Sequence, residues 1–205
     1  MARRTIAGPP GSSALIDMAP AAPYATGMPS GRPSVSFVVT IYNKAKYLPA
    51  VLDAIAAQQG DFARQFVFVD DGSTDGSLAI LRGRTEGRQD TIVVAQANAG
   101  PSKASNVGLA RAAGDLVKFV DGDDVLAPDA TARLLAVLAK HGADLAYGGG
   151  GHYAPGEALP APAPADDGAP VEDALGFVLA SPPFNLSQIL VRRDACLAAG
   201  GFDER

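Results

Sequence analysis

Short apolar runs alternate with amphipathic segments along most of this chain. Four runs that are rich in β-branched or aromatic residues predict strands, at residues 34–42, 65–70, 91–96 and 116–121. A segment with apolar residues at helical spacing follows each run, at residues 47–59, 76–84, 101–114 and 128–142. This alternation predicts an α/β fold with a mostly parallel sheet and helices on both of its faces.

Two stretches show neither period. Residues 1–32 are rich in Ala, Pro, Gly and Ser, which predicts a flexible N-terminal extension ahead of one domain over residues 33–205. Within that domain, glycines and prolines interrupt any pattern at residues 148–170, which predicts a mobile loop. Order is expected to resume in three elements: a helix near residues 171–180, a strand at residues 187–191 and a helical turn at residues 193–201.

The composition is that of a globular protein and argues against nucleic acid as a partner. Apolar residues make up 47% and charged residues 19% of the 205 residues, a balance that supports one folded core. The chain has 17 Lys and Arg against 22 Asp and Glu, a net charge of −5, and no basic tract. Duplex binding requires a basic surface, so we expect no nucleic-acid partner.

Cysteine and histidine usage narrows the chemistry of any site. Cys196 is the single cysteine and cannot form an internal disulfide, which is typical of a reducing compartment. The two histidines, His141 and His152, lack a zinc-binding spacing, so a zinc site is not expected. No apolar run approaches the roughly 18 residues of a membrane span. We therefore expect a cytoplasmic chain without a membrane span.

Polar residues gather where the predicted strands end. Asn43 follows the first strand, Asp70 and Asp71 end the second, and residues 121–124, "DGDD", follow the fourth. Parallel strands joined by helices present their carboxyl ends at one edge of the sheet, where ligands of such folds bind. The pattern therefore predicts one polar site at that edge.

The "DGDD" segment has the composition of a divalent-cation site. Asp121 and Asp123 alternate around Gly122, directly after a buried run, and such carboxylates repel one another unless a cation lies between them. Mg²⁺ and Mn²⁺ take one or two protein carboxylates and complete their shell with phosphates and water. A solvated turn ahead of a helix is the alternative, and it is reasonable for Asp124.

Four segments together resemble a known family. "VVTIYNKAKYLPAVLDAIAAQ", "VFVDDGSTDGS", "ANAGPSKASNVGLARAAGDLVKFVDGDD" and "GGFDE" occur in the order and at the spacing of family-2 glycosyltransferases of the GT-A fold. The resemblance covers residues 33–205 except for residues 148–170. It implies a nucleotide-diphosphate sugar as donor, with UDP as the expected nucleotide. It also implies transfer with inversion, a Mn²⁺ or Mg²⁺ cofactor, and a glycan, lipid-linked or protein-linked acceptor.

The resemblance also assigns roles to individual residues. Thr40 and Tyr42 match the first-strand positions that meet the nucleobase, with Tyr42 stacking on it. Asp71 matches the carboxylate that reads the base N3–H. Asp121 matches the acid near the ribose and the metal, and Asp123 matches the principal ligand of the metal that bridges the two phosphates.

Two further candidates lie on the helix that follows "NAGPSK". Lys103 and Asn106 occupy positions where the family often approaches the donor. Lys103 is equally consistent with a solvated surface lysine, and Asn106 with a residue that makes structural hydrogen bonds. The resemblance places the catalytic base, an Asp, after "GGFDE" and beyond Arg205, so we assign no catalytic residue and expect a GT-A domain truncated at its C-terminal part.

Two other functions remain open from the sequence. A catalytically incomplete module would bind the nucleotide sugar and the metal without turnover. A nucleotidyltransferase would use a similar sheet and acidic metal site, but it would need a glycine-rich and basic loop after the first strand to hold a triphosphate. "TIYNKAKY" stands there instead.

Overall fold

The computed structural model describes residues 31–151 and 185–205. They form a six-stranded sheet with the strand order β3-β2-β1-β4-β6-β5. The strands are β1 (Ser34–Ile41), β2 (Ala63–Asp71), β3 (Thr91–Gln96), β4 (Leu116–Asp121), β5 (Leu145–Tyr147) and β6 (Ile189–Arg192). The helices are α1 (Leu48–Ala56), α2 (Ser77–Thr85), α3 (Pro101–Arg111), α4 (Ala130–His141) and α5 (Arg193–Ala198), and a 3₁₀ turn (Leu186–Gln188) precedes β6.

The sheet is mixed but mostly parallel, as the sequence predicts. Strands β1, β2, β3 and β4 are mutually parallel, whereas β6 runs antiparallel to both β4 and β5. The three-residue strand β5 was not predicted. A strand this short shows too few alternating positions to be recognised, and β5 is defined by its pairing with β6.

Helices cover both faces of the sheet, which confirms the predicted architecture. Apolar side chains of α1, α2 and α4 pack on one face against alternate residues of the central strands, among them Phe37 and Phe68. On the other face α3 packs against Val38, Val67 and Phe119. Because both faces are buried, the central strands are mostly apolar, and the acidic residues Asp70, Asp71 and Asp121 lie at the strand ends.

Helix α3 approaches the sheet closely because of one glycine. A Cβ at Gly108 would collide with the Val38 side chain, so any larger residue would push the helix outward. The helix begins at Pro101, beside the carboxyl end of β2, where the Gly100 N–H donates to the Asp71 carboxylate. The helix also ends at Arg111, earlier than the predicted residue 114.

Several predictions fall outside the described residues. These are the N-terminal extension up to residue 30, most of the predicted loop at residues 148–170, and the helix expected near residues 171–180. Within the described ranges, no helix is long and apolar enough to cross a membrane.

Candidate functional site

Strand register brings the predicted site residues to one edge of the sheet. Thr40 near the end of β1 lies between Val69 of β2 and Asp121 of β4, and Ile41 lies opposite Asp70. The N–H of Gly122 donates to the Thr40 carbonyl at 2.9 Å, which extends the pairing of β1 and β4 by one step. The carboxylates that follow β2 and β4 therefore flank the end of β1.

The acidic turn after β4 (residues 121–124, hereafter the β4 turn) holds a carboxylate with little internal compensation. Among the described residues, the Asp121 carboxylate accepts one hydrogen bond, from the Thr40 hydroxyl at a long 3.4 Å. Burial raises the pKa of Asp121, and the neighbouring charges of Asp124 and Asp123 raise it further. The turn is closed by the Asp124 N–H, which donates to the Asp121 carbonyl at 3.0 Å. This backbone hydrogen bond keeps the carboxylates of Asp121 and Asp124 within one turn although their charges repel each other.

Lys44 reaches the same turn, which sequence reasoning missed. Its ammonium forms an ion pair with the Asp123 carboxylate, and about a third of each side chain is exposed. The aliphatic stem passes over Gly122, where an added Cβ would lie 3.2 Å from Lys44 Cγ and 3.0 Å from the Thr40 carbonyl oxygen. A lysine directly after Asn43, at the end of the first strand, was the available signal.

The acidic turn after β2 (residues 71–77, hereafter the β2 turn) is arranged differently. The Asp71 side chain is 3% exposed. Its carboxylate accepts hydrogen bonds from the N–H groups of Ala99 and Gly100, each at 2.9 Å, and from the Gln96 amide at 2.7 Å. Asp71 therefore fixes the chain between β3 and α3 as well as standing at the predicted base-reading position.

A glycine allows this contact. Gly72 has a φ of +75°, and a Cβ there would lie 2.6 Å from the backbone nitrogen of Asn98. Both the left-handed backbone and the close approach therefore require glycine. Asp70, one residue before Asp71, accepts a hydrogen bond from the Ser73 N–H at 3.1 Å through Oδ1, while its buried Oδ2 has no partner within the described ranges.

A second network joins the β2 turn to the loop after β1. The Asp75 carboxylate accepts hydrogen bonds from the N–H and hydroxyl of Ser77 and from the Ala45 N–H. These bonds lower the pKa of Asp75, with the Ser77 hydroxyl as the main cause. Asn43 adopts a φ of +55° and accepts a hydrogen bond from the Thr74 N–H at 2.8 Å.

Tyr42 lies where a nucleobase is expected. It follows the last residue of β1, and 47% of its surface is exposed. An exposed aromatic ring held on a rigid strand end offers a face for stacking.

The two candidates on α3 are placed differently from each other. Lys103 is exposed, and it makes no hydrogen bond or ion pair within the described part of the chain. The Asn106 amide is committed to the "GGFDE" segment: it donates to the Phe202 carbonyl and the Glu204 carboxylate, and it accepts from the Phe202 N–H, each at 2.8 Å. These contacts favour the structural alternative for Asn106.

A buried lysine on β4 binds the segment before β6, which in turn contacts the β4 turn, and this lysine was not predicted from the sequence. Lys118 is 1% exposed, and its ammonium donates to the carbonyls of Ser187 and, at 3.1 Å, Ile189. Burial lowers its pKa to about 7, although the Asp124 charge opposes this shift. Ser187 in turn accepts a hydrogen bond from the Asp121 N–H at 2.9 Å, so the segment before β6 helps to fix the β4 turn.

The donor atoms at this edge suit a hard cation that a ligand helps to hold. Within residues 31–151 and 185–205, no group of three or more His, Cys, Asp or Glu side chains is arranged as a metal cage. Asp121 is partly exposed and Asp123 is exposed, and two such carboxylates match the one or two protein ligands that Mg²⁺ and Mn²⁺ take at phosphate sites. The edge therefore combines an exposed aromatic ring, Tyr42, with carboxylate oxygens from Asp121 and Asp123.

Known proteins with similar sequences are glycosyltransferases. An uncharacterized glycosyltransferase of Nostoc sp., alr2836, is 38% identical over 105 residues, which cover 51% of this chain and 32% of that protein. The glycosyltransferase GlyA of Streptococcus pneumoniae is 36% identical over 114 residues, which cover 56% of this chain and 16% of that protein. The chain thus spans less than a third of the length of these relatives.

Solved structures share the fold. TarS 1–349 of Staphylococcus aureus in complex with UDP aligns with a TM-score of 0.62 and 26% identity over 83% of this chain and 50% of that one. The mannosyltransferase PcManGT of Pyrobaculum calidifontis, in complex with GDP-Man and Mn²⁺, aligns with a TM-score of 0.63 and 24% identity, over 86% of this chain and 49% of that one. The mostly parallel sheet with helices on both faces is thus the GT-A fold. The family model for glycosyl transferase family 2 matches residues 36–173, more than half of the chain, and the chain therefore belongs to that family.

Proposed function

We propose that this chain binds a nucleotide-diphosphate sugar, with UDP as the nucleotide, across the carboxyl edge of its sheet. The observation that carries the proposal is that an exposed aromatic ring, Tyr42, and the carboxylates of the β4 turn come together at the end of β1. In that turn, Asp121 has a raised pKa because of burial and of its neighbouring carboxylates. The UDP complex of the similar TarS structure supports the choice of nucleotide.

The base half of the proposed site consists of Thr40, Tyr42 and Asp71. Tyr42 offers a stacking face, and Thr40 lies between the two acidic turns. An ionised carboxylate has about four acceptor positions, and the described contacts of Asp71 use three of them. One position remains for a base N–H, which is consistent with uracil N3–H as the group that Asp71 reads.

The phosphate half depends on the β4 turn and a divalent cation. Asp123 and Asp121 would hold Mn²⁺ or Mg²⁺, and Lys103 at the start of α3 is free to approach the donor. The cation would stabilise the negative charge that builds on the departing diphosphate. The fixed backbone of the turn, held by Thr40 and Ser187, keeps the two carboxylates in place while that charge develops.

We further propose that the sugar is transferred with inversion to a glycan or lipid-linked acceptor. Inversion requires a base on the face opposite the leaving group to deprotonate the acceptor hydroxyl. The family resemblance places that base, an Asp, beyond Arg205. For residues 31–151 and 185–205 we propose donor binding and stabilisation of the leaving group.

A nucleotide panel tests the proposal. Uridine, cytidine, guanosine and adenosine diphosphates are titrated calorimetrically into the 205-residue chain, each with Mn²⁺ and with EDTA, and UDP-sugars follow. We expect uridine diphosphate to bind most tightly, and only weakly when the metal is removed. A preference for another base would exclude the role of Asp71, and equal binding in EDTA would exclude the metal.

A further inference from the structure

The backbone of Lys44 is fixed on both sides, so its side chain has a defined starting point. Its N–H donates to the buried Ser77 hydroxyl at 2.9 Å, and its carbonyl accepts from the N–H groups of Tyr47 and Leu48, both at 2.9 Å, where α1 begins. None of these contacts uses the side chain. Substitution of the side chain therefore leaves the loop after β1 supported.

From this point the Lys44 side chain has one charged partner among the described residues. The stem lies over Gly122, and the ammonium pairs with Asp123. The same positive charge opposes the rise in the pKa of Asp121, so it acts on Asp121 as well as on Asp123. Among the described residues, Lys44 is thus the cation that forms an ion pair with a carboxylate of this turn.

Two cations cannot occupy Asp123 together without repulsion. A divalent ion that arrives alone must displace the Lys44 ammonium from the carboxylate, which opposes its binding. A nucleotide diphosphate changes the balance, because its phosphates present further negative oxygens beside the turn. The flexible lysine side chain can then leave Asp123 and donate to the diphosphate instead.

We propose that Lys44 makes metal binding and diphosphate binding mutually dependent, by neutralising Asp123 until the metal arrives with the nucleotide and then pairing with the diphosphate. The inference rests on the proposed function, since it requires the nucleotide to lie at this edge. Lys44 is a positioning residue in this role. Coupling of this kind is reciprocal: the metal tightens the nucleotide by the same factor by which the nucleotide tightens the metal.

The test compares Lys44→Met with Lys46→Met in the full chain. Lys46 lies two residues away on the same loop, with its ammonium 5.3 Å from the centre of the Tyr47 ring, so its substitution removes the same charge without touching Asp123. Mn²⁺ binding without nucleotide is measured by electron paramagnetic resonance. Uridine diphosphate binding at saturating Mn²⁺ is measured by calorimetry.

We expect the two affinities of Lys44→Met to move in opposite directions. Mn²⁺ alone should bind about two- to fivefold more tightly, the range of an exposed ion pair. Uridine diphosphate with Mn²⁺ should bind more weakly, by about the same factor or more. Lys46→Met should match the wild type in both assays, and Lys44→Arg should retain most of the coupling. General damage to the fold would instead weaken the binding of both Mn²⁺ and uridine diphosphate.

The outcomes separate this inference from the proposed function. If the wild-type chain binds neither Mn²⁺ nor uridine diphosphate, the proposed function fails. If it binds both, and Lys44→Met changes neither affinity or weakens both, the role of Lys44 is wrong while the site stands. Lys44→Gln serves as a second neutral variant, and it must reproduce the opposite changes.

Discussion

The two acidic turns at the carboxyl edge of the sheet have similar sequences, but their carboxylates differ in how many hydrogen bonds they accept and in the direction of their pKa shifts. In the β2 turn, the carboxylates of Asp71 and Asp75 each accept three hydrogen bonds from nearby backbone and side-chain groups. In the β4 turn, Asp121 accepts one long hydrogen bond, and Asp123 is paired with Lys44, whose side chain is about one third exposed. The carboxylates of the first turn are therefore largely compensated by the fold, whereas those of the second turn have fewer partners among the described residues.

The difference teaches how a carboxylate cluster is assigned to structure or to binding. Hydrogen bonds to a charged carboxylate stabilise the charged form, and neighbouring carboxylates with burial destabilise it. The pKa of Asp75 is accordingly lowered and that of Asp121 is raised. Residue type and strand position are shared by both turns, so only the contacts distinguish them.

The largest expected effect is on stability, in the β2 turn. Asp71→Ala should lower the free energy of unfolding by about 2 to 4 kcal/mol, because it removes the buried carboxylate that accepts hydrogen bonds from the N–H groups of Ala99 and Gly100 and from the Gln96 amide. Asp121→Asn should cause no loss in metal-free buffer, since it relieves repulsion. The free energy of unfolding of both variants is measured by urea unfolding in buffer that contains EDTA. A loss in Asp121→Asn as large as that in Asp71→Ala would remove the contrast between the turns.

The next effect separates nucleobase binding from cation binding. Tyr42→Ala should lose about 1 to 3 kcal/mol of uridine diphosphate affinity, the scale of aromatic stacking on a base. The loss should be similar with and without Mn²⁺, because Tyr42 does not contact the β4 turn through any described bond. Tyr47→Ala is the control, since Tyr47 is also exposed but lies at the start of α1. An equal loss in both variants would exclude specific stacking by Tyr42.

A subtler effect concerns base discrimination. Asp71→Asn should narrow the preference for uridine over cytidine diphosphate, because an amide can donate as well as accept a hydrogen bond. The affinity ratio of the two nucleotides, measured in Mn²⁺ on protein shown to be folded, is the readout. An unchanged ratio in a folded variant would restrict Asp71 to its structural role.

The smallest expected effect concerns how the free energy of unfolding depends on pH, with opposite signs for Asp121 and Asp75. A raised folded-state pKa means that the native protein binds more protons than the unfolded chain, so the Asp121 contribution to stability falls as pH rises above about 4. A lowered pKa gives the reverse, so the Asp75 contribution is present above about pH 4 and is lost on acidification. The free energy of unfolding is measured with urea at several pH values around 4 for the wild type, Asp121→Asn and Asp75→Asn. The difference between the wild type and each variant, plotted against pH, should have slopes of opposite sign for the two variants. Slopes of the same sign would contradict the comparison.

Much of the fold could be predicted because its signals are local. Strands β3 and β4 begin and end at the predicted residues, 91–96 and 116–121, since each is a short apolar run bounded by turn residues. The short strand β5 and the antiparallel direction of β6 could not, because both depend on pairing between distant segments.

The site divides in the same way. That Asp71 and Asp121 lie at one edge of the sheet could be predicted from their positions at strand ends, and the strand register shows this placement. The three hydrogen bonds to Asp71 come from residues at least 25 positions away, and the ion pair of Lys44 with Asp123 spans 79. Such contacts carry no local pattern. The assignments of Thr40, Tyr42, Lys103 and the metal ligands remain predictions.

The most direct test of the central claim is a titration of uridine diphosphate against Asp123→Asn, in Mn²⁺ and in EDTA. Asp61→Asn is the matched control, because it removes the same charge from an exposed acid that pairs with Arg32 just before β2, at the opposite end of the sheet. In Mn²⁺, Asp123→Asn should bind more weakly than the wild type by a few kcal/mol at most, about 1 to 3, since one charged ligand is lost while phosphates and water remain. In EDTA the two proteins should bind alike, and Asp61→Asn should match the wild type in both conditions. Equal affinities of Asp123→Asn and the wild type in Mn²⁺ would contradict the claim that the β4 turn is completed by a metal and its donor.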